Sequence, residues 1–547
     1  MPVQAQVKPA PVAGKTVPIN IVHGGVDRLY ADIDYIFGLA NEPKELKNLK
    51  DTLDVFFIGN VKKPAMDTKR PTVFRVYVRK GKFNTVLFAP TAGAVPFRDN
   101  IRALGVKTRN LGTGWFAVAG LFNGFLKEGG NISIIAEDRA DAVPLEGVMP
   151  VGDLVAFNKK INPQDYDFYV SIENAADQLK DREAAIDELR KQVIPGLKAS
   201  KTETPARFLL RTLTIDQQIT ELKQIYSEAA TITSFIDLTP KNKTFISTTE
   251  LTCLPDTDLL KTVESLAAEP SYFANIPRNE TEPLSALINL KVDTVRQKHV
   301  KAFLDLARPI FHTEVKDADT ISAKTKEYTD ISIDIIVDVL QKGAADGIFD
   351  SFMNIHANAG GLHTMVGGTR VDGAIVKAGL EKLKAAAKVE LDTAKIGDVD
   401  LHKITLPADM TELHEIYGKD LVLLIGTSPK AVWYALGEKA EDKLKEAIEK
   451  VAQPAPATDH VVIHVHGKAL LVMQQLDAHR SKHKKGDADI RKQAIEIFKK
   501  GGDDFDLKVE KVGEKHEKLK STLTLHEGIL HYFGKVVAKF VKENLQN

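Results

Sequence analysis

The sequence predicts two diverged copies of one unit, and such an internal repeat would limit the fold more than any other feature. Ile19-Asn20-Ile21 and Ile288-Asn289-Leu290 each precede an amphipathic helical stretch. Two further matches follow in the same chain order: Phe168, Val170 and Ile172 with Val461, Ile463 and Val465 at a constant offset of 293 residues, and Ser247-Thr248-Thr249-Glu250-Leu251 with Ser521-Thr522-Leu523-Thr524-Leu525. A single match would be weak because alternating strands are common. Three matches in order favour duplication.

Duplication predicts the domain organisation. Residues 1–16 are Pro/Ala-rich and unpatterned, which predicts a disordered segment. The first copy spans 17–270 and the second spans 285–547, and the polar, aperiodic segment 271–284 is interpreted as a linker. The mixture of alternating strands and amphipathic helices predicts the α+β class. Each copy is expected to form a mostly antiparallel sheet with helices packed on one face.

Two stretches are interpreted as helical. One is a short piece from Leu121 to Leu126, and the other covers Pro429 to Val451 and carries Trp433. The other tryptophan, Trp115, is placed on a strand. Both tryptophans are expected to be core anchors, because large aromatic side chains dominate packing.

Composition excludes several classes of protein. Lys and Arg together number 74, as do Asp and Glu, so no overall positive charge favours nucleic acid as a partner. No apolar run of about 18 residues is present, so no transmembrane segment is expected. The single cysteine, Cys253, excludes an internal disulfide and cysteine-rich metal sites, and its neighbours offer no base that would activate it.

One strand carries the best metal candidate. In the run from Asp459 to His466, strict alternation would place His460, His464 and His466 on one face of a strand. Imidazoles two residues apart on a strand can share Zn²⁺ or Cu²⁺. The alternative is a solvated polar face, because the corresponding strand of the first copy carries Asp167, Tyr169, Ser171 and Glu173.

Other motifs lack the spacing that catalysis needs. The glycines from Gly360 to Gly368 match neither a dinucleotide fingerprint nor a phosphate-binding loop, and the run from Leu423 to Ser428 lacks the serine elbow of hydrolases. The Asp and Glu residues show no pair at a spacing that indicates two catalytic carboxylates. The sequence therefore predicts no catalytic residues and no cofactor, and it leaves enzyme activity open while favouring its absence.

The chain resembles an uncharacterised exported two-domain protein family of planctomycete-type bacteria. The resemblance lies in Leu401-His402-Lys403-Ile404-Thr405-Leu406-Pro407, in the run from Leu421 to Gly437, and in the ending from Leu523 to Leu530. In the first half, Phe88-Ala89-Pro90-Thr91 and Tyr166-Asp167-Phe168-Tyr169-Val170 are similar too. It covers most of the chain and implies a secreted, duplicated α+β protein, located in the periplasm or cell envelope, without assigned catalytic residues. A cytoplasmic protein with a loose amino-terminal tail is the competing interpretation.

Three functional hypotheses follow. The first is a non-enzymatic exported protein with a binding, scaffolding or assembly role in the cell envelope, whose partner is an unknown envelope protein or a second copy of the chain. The second is a carrier of apolar or lipid-like ligands in a groove between sheet and helices. The third is a metal-dependent enzyme that uses His460, His464 and His466.

Overall fold

The computed structural model describes residues 19–57, 65–79, 82–93, 96–120, 123–129, 131–139, 154–201, 203–318, 321–419, 421–454, 460–480, 485–513 and 517–545. The predicted disordered segment 1–16 lies outside these ranges. No helix among the described residues is long and apolar enough to cross a membrane.

The described residues form both strands and helices along the whole chain. The strands are β1 (Ile19–His23), β2 (Thr72–Arg79), β3 (Lys82–Pro90), β4 (Lys107–Gly112), β5 (Trp115–Ala119), β6 (Gly124–Gly129), β7 (Ile132–Ala136), β8 (Phe168–Glu173), β9 (Ala229–Thr239), β10 (Thr244–Cys253), β11 (Leu284–Lys291), β12 (Ile348–Ala357), β13 (His363–Thr369), β14 (Lys388–Ile396), β15 (Val399–Thr405), β16 (Val422–Thr427), β17 (Val432–Gly437), β18 (Val461–Lys468), β19 (Asp504–Val512) and β20 (Lys518–His526). The helices are α1 (Val26–Ala40), α2 (Pro43–Phe57), α3 (Phe97–Ala103), α4 (Leu154–Ile161), α5 (Leu179–Gly196), α6 (Pro205–Glu228), α7 (Asp258–Ser265), α8 (Thr294–Asp317), α9 (Ala323–Asp346), α10 (Ala374–Leu383), α11 (Thr411–Tyr417), α12 (Ala440–Val451), α13 (Ala469–Arg480), α14 (Lys485–Phe498) and α15 (Glu527–Asn544).

Local sequence sets where the long helices begin and end. The side chain of Asp293 accepts hydrogen bonds from the backbone N–H groups of Val295 and Arg296, which caps α8. Ser322 caps α9 in the same way, and Gly347 ends that helix in the left-handed region at φ 73°. These caps fix the α8–α9 helical hairpin that packs beside the second part of the sheet.

All twenty described strands form one antiparallel sheet. Its spatial order is β4-β5-β6-β7-β3-β2-β1-β8-β9-β10-β20-β19-β18-β11-β12-β13-β17-β16-β15-β14. The first ten strands and the second ten therefore follow the same order from the edge of the sheet to its centre. Each strand from β1 to β10 matches the strand whose number is ten higher. We call residues 19–265 the first half and residues 284–544 the second half.

The two halves join through β10 and β20. The pairing runs antiparallel from Thr244 opposite His526 to Thr252 opposite Lys518, with Thr248 opposite Thr522 at its centre. The join is therefore symmetric about this central pair. Because backbone hydrogen bonds continue across it, the halves share one sheet rather than a flexible connection.

Helices cover the two faces of the sheet unequally. Face 1 is the face that carries Val22 and Trp115 in the first half and Phe352 and Trp433 in the second. Only α4 and α12, among the described helices, pack on it, through Leu154 and Leu444. The opposite side of the sheet, face 2, is packed against more helices, which include α3, α5, α6, α7, α9, α10 and α13. The prediction of helices on one face is therefore wrong for α4 and α12.

The segment predicted as a linker contributes to the core of the second half. Phe273 is fully buried and meets Trp433 edge-on, with ring centroids 5.3 Å apart. It lies over Gly368, where an added Cβ would stand 3.0 Å from the Phe273 ring and 3.1 Å from that of Phe352. The equivalent place in the first half is filled by Phe88, which arises from the sheet itself. The joining segment thus completes the second core.

Parts of two stretches predicted as helical are strands in the structure, while the helix predicted up to Val451 is confirmed by α12. The short piece predicted from Leu121 overlaps β6, and Trp433 lies on β17 rather than on a helix. Short apolar runs fit either type of element, and pairing with neighbouring strands decides the outcome. Both tryptophans are nevertheless buried, as predicted for core anchors.

Candidate functional site

The six strands around the join present a polar surface on face 1. The hydrophobic clusters under α4 and α12 reach inward only to Tyr169 of β8 and Leu287 of β11 among the described residues. We call the surface between them the central face. Its side chains are Tyr169, Ser171, Thr233, Phe235, Asp237, Ile246, Thr248, Glu250, Lys520, Thr522, Thr524, Asp506, Lys508, Glu510, His464 and His466.

Sequence alternation creates this surface. Strand β20 reads Lys518-Leu519-Lys520-Ser521-Thr522-Leu523-Thr524-Leu525, so its lysines and threonines share one face and its leucines share the other with Ser521. An antiparallel sheet can expose one face to water in this way. The polar character of the central face therefore follows directly from the sequence of its strands.

Charges on the central face are unequal. Among the side chains just named, four carboxylates, Asp237, Glu250, Asp506 and Glu510, stand beside two lysines, Lys508 and Lys520. The ends of the same strands add two carboxylates and two lysines to this face, Glu173, Asp504, Lys468 and Lys518. Glu250 and Lys520 face each other across the join at 3.7 Å, and Lys508 contacts Glu510 at 2.6 Å. These four side chains remain 25–38% exposed, so their ion pairs contribute little stability. The net charge of the face, histidines aside, is negative.

Two of the three predicted metal ligands meet at one corner of this face. His464 Nε2 lies 2.9 Å from Asp506 Oδ2, and His466 Nδ1 lies 3.8 Å from the same oxygen. The Nε2 atom of His466 is buried and has no hydrogen-bond partner within the described chain. A register shift between Val461 and Ile463 breaks the strand alternation that the prediction for His460 assumed.

The histidine corner does not form a metal cage. Across the described ranges, no group of three or more His, Cys, Asp or Glu side chains is placed to hold a metal ion. Asp506, 40 residues beyond His466 in the chain, was not part of the predicted set, and only the pairing of β18 with β19 brings it close. The arrangement supports a hydrogen-bonded His–Asp pair.

A carboxylate cluster at the opposite corner is absent from the sequence prediction. Arg28 Nε contacts Asp167 Oδ1 at 2.8 Å, and the Leu238 N–H donates to Asp167 Oδ2 at 2.8 Å. Burial, together with the negative charge of Asp167, raises the pKa of Asp32 to about 7. Burial also raises the pKa of Asp167, and Asp237 adds to that rise. Asp32 can therefore exchange a proton near neutral pH.

A cavity of about 250 Å³ adjoins the outer part of face 1 in the second half. Phe352, Val366 and Ile276 supply its apolar surface. Its polar lining combines strand residues, the joining segment and α12: Asn279, Glu282, Asn354, His356, Lys443, Glu446 and Lys450. His356 Nδ1 lies 3.0 Å from Glu282 Oε1. Sequence periodicity identifies none of these residues as neighbours.

The cysteine offers no nucleophile. Burial raises the pKa of the Cys253 thiol to about 11, so thiolate is scarce at neutral pH. This agrees with the absence of an activating base in its sequence neighbourhood.

Comparison with known proteins identifies no relative. No protein-family model matches the chain, and searches of curated proteins and of solved structures find no similar protein.

Proposed function

We propose that this is a non-enzymatic binding or assembly protein made of two tandem homologous domains, with the central face as its binding surface. The observation that carries the proposal is the symmetric β10–β20 join, which builds a broad polar surface from both halves. Neither half contains this surface alone. Its net negative charge favours a partner with a positively charged surface.

Equivalent positions support descent from one domain. From Thr248 outward, the residues paired on successive strands are Phe235, Tyr169, Val22 and Val73. From Thr522 outward, they are Lys508, His464, Leu287 and Phe352. In both directions the fourth and fifth strands supply buried apolar residues of the face 1 core. Helices also occupy the same places in the order, apart from α11.

The edges of the sheet are poor sites for adding another strand. The outermost described strands are β4 and β14, and each carries a bulge, between Asn110 and Gly112 and between Glu390 and Ala394. Lysines lie on both, including Lys107 and Lys388. Bulges and edge lysines oppose strand pairing with other molecules. These features favour a face, rather than an edge, as the binding surface.

A carrier of apolar ligands is the second candidate. On face 2 of the central strands, Ile236, Leu507 and Leu523 are only half-buried. Apolar side chains in this state would gain from contact with a hydrocarbon chain. Residence in the cell envelope is also proposed, and it rests on the family resemblance alone. Fractionation of the source cells tests it, since recovery only with cytoplasmic markers would contradict export.

Charge reversal on the central face tests the main proposal. The protein would be isolated from its own source under native conditions, as wild type and as the double variant Glu250→Lys, Glu510→Lys. We expect a partner protein to accompany the wild type and to be lost from the variant. The two new lysines would repel the positively charged surface of the partner. Intact native mass and crosslinking measure both.

The matched control reverses two exposed glutamates outside this surface, Glu381→Lys and Glu449→Lys. It should retain the partner. Equal retention by the central-face variant, or isolation of a bare monomer without partner or ligand, would contradict the proposal. An excess mass that corresponds to a bound lipid would instead favour the carrier.

A further inference from the structure

We propose that the cavity beside α12 is a binding site for a single neutral, polyhydroxylated ring of hexose size. The site is separate from the central face and is formed by the second half together with the joining segment. At about 250 Å³ it holds one such ring and is too small for a lipid. Helix α12, β12 and the joining segment form its walls.

The lining matches a ligand with one apolar and several polar surfaces. The Phe352 ring, with Val366 and Ile276, offers an apolar surface against which the C–H groups of a sugar ring can pack. Glu282, on the joining segment, presents carboxylate oxygens, and only one of them contacts His356. A hydroxyl group can donate to the other.

Donors complete the polar lining. Asn354 is 7% exposed, and its Oδ1 accepts from the Ser285 hydroxyl at 3.0 Å. Its Nδ2 reaches only the Pro277 carbonyl, at the long distance of 3.4 Å. A buried amide with so weak a contact gains free energy from an additional acceptor. A ring hydroxyl supplies both the acceptor that Asn354 needs and the donor that Glu282 needs.

Charge balance distinguishes this ligand from an ion. Lys443 and Lys450 both contact Glu446, at 3.2 and 2.6 Å, and Glu282 supplies a second negative charge. Two lysines and two glutamates leave no net charge, His356 aside. A small anion or cation would meet opposing charges, whereas a neutral polyol can bond to both kinds of group.

Among the described residues of the first half, an arginine occupies the position that Asn354 has in the second half. Val86, Arg75 and Asn20 lie opposite one another on β3, β2 and β1. The matching positions on β13, β12 and β11 are Val366, Asn354 and Ser285. Arg75 is 5% exposed, donates from Nε to Asn20 Oδ1 at 2.7 Å and lies over the Phe88 ring. The duplicated scaffold thus carries a filled position in one half and a cavity in the other.

Ligand-observed NMR on the full chain tests the proposal with glucose, galactose, mannose and N-acetylglucosamine as probes, beside acetate and methylammonium. We expect at least one hexose to bind with a Kd of about 1 mM, and Glu282→Ala to weaken it about tenfold through a lost hydrogen bond. Lys450→Ala is a second variant, on a separate wall, that should also weaken binding. Glu381→Ala, at an exposed position of α10, is the matched control and should bind like the wild type.

Thermal unfolding of each variant confirms that the fold is intact. The proposal is overturned if none of the four sugars binds the wild type, or if either ion binds more tightly than every sugar. It is also overturned if Glu282→Ala and Lys450→Ala, both folded, bind the hexose as tightly as the control does.

Discussion

The two halves share strand order but fill their cores differently. Residues that lie directly opposite one another on successive strands form a row that runs outward from Thr248 and Thr522. In the first half this row contains Val22, Val73, Phe88 and Ile134, and in the second half it contains Leu287, Phe352, Gly368 and Trp433. The small residue Gly368 makes room for Phe273 from outside the sheet. Backbone pairing is therefore the same in the two halves although the side-chain volumes at matching positions differ, and cores accept different residues when total volume is conserved.

Removing the inserted ring should have the largest effect. Phe273→Ala deletes a fully buried side chain, and we expect a loss of about 3–5 kcal/mol in the free energy of unfolding. Denaturant unfolding in a Trp115→Phe background, which leaves Trp433 as the reporter, measures it. Phe88→Ala, monitored by Trp115, is the matched change in the first half. A cost below about 1 kcal/mol for Phe273→Ala would mean that the second core does not depend on the joining segment.

A buried arginine anchors α5 in the first half, and its loss should rank second. Arg182 is fully buried and donates to the backbone carbonyls of Ser227 and Ala175 at 2.7 and 2.9 Å. Arg182→Met leaves those carbonyls unsatisfied, and we expect a loss of about 2–3 kcal/mol in unfolding free energy. Arg190→Met on the exposed side of α5 should cost less than about 1 kcal/mol. Equal costs for the two would argue against an anchoring role.

The second half uses a different anchor at the same place. There Asp503, which is 3% exposed, accepts from the Leu470 N–H at 2.8 Å at the start of α13. The equivalent helix is therefore held through its N-terminus rather than through a side-chain cation. The equivalent helices α5 and α13 are therefore fixed to the sheet by different contacts, one through Arg182 and the other through Asp503.

Asp32 should make the first half sensitive to pH. Its pKa is raised from 3.8 to about 7 in the folded chain, so the folded state binds more protons than the unfolded state between these values. Stability therefore falls as pH rises through this window. Asp32→Asn should be more stable than the wild type by about 1 kcal/mol at pH 8, after allowance for solvent screening, and about equal to it at pH 4.

Thermal unfolding at the two pH values measures the effect, with Trp115 as the reporter. Asp34→Asn, on the same helix and paired with Lys50, is the control and should change stability by less than about 0.5 kcal/mol at either pH. An Asp32→Asn variant that is less stable than the wild type at pH 8 would contradict the proposed cause.

The ion pair that crosses the join should have the smallest effect. Lys520 and Glu250 are 3.7 Å apart and about one-third exposed, so Lys520→Met should change the unfolding free energy by less than about 0.5 kcal/mol. Chemical denaturation with both tryptophans present measures it. A loss above about 2 kcal/mol would show that side chains, rather than backbone pairing, hold the halves together.

Periodicity predicts elements well where neighbours are close in the chain. The matched runs that begin at Phe168 and Ser247 lie on β8 and β10, and Trp115 lies on a strand as predicted. The copies align less well. The sequence pairs Phe168 with Val461, whereas the register from the join makes Ile463 its equivalent. A bulge on β18 accounts for part of this shift, and alternation alone cannot reveal a bulge.

The candidate surfaces could be predicted only in part. Alternation correctly places His464 and His466 on one face, but Asp506 joins them through pairing with a distant strand. Asp167 and Asp237 are 70 residues apart in the chain, and their approach depends on the register of β8 and β9. The cavity needs three separate segments in place. Such contacts arise from tertiary structure, which local spacing does not encode.

The symmetric meeting of β10 and β20 has a consequence for any isolated half. Severing the chain within the joining segment would leave β10 as a bare edge of ten residues, which is a template for association. Because its present neighbour is its own counterpart, a released first half can pair β10 with β10 of another molecule about Thr248. Under the proposed descent from one domain, a twofold dimer of single domains would be the ancestor, and fusion would have made its interface permanent.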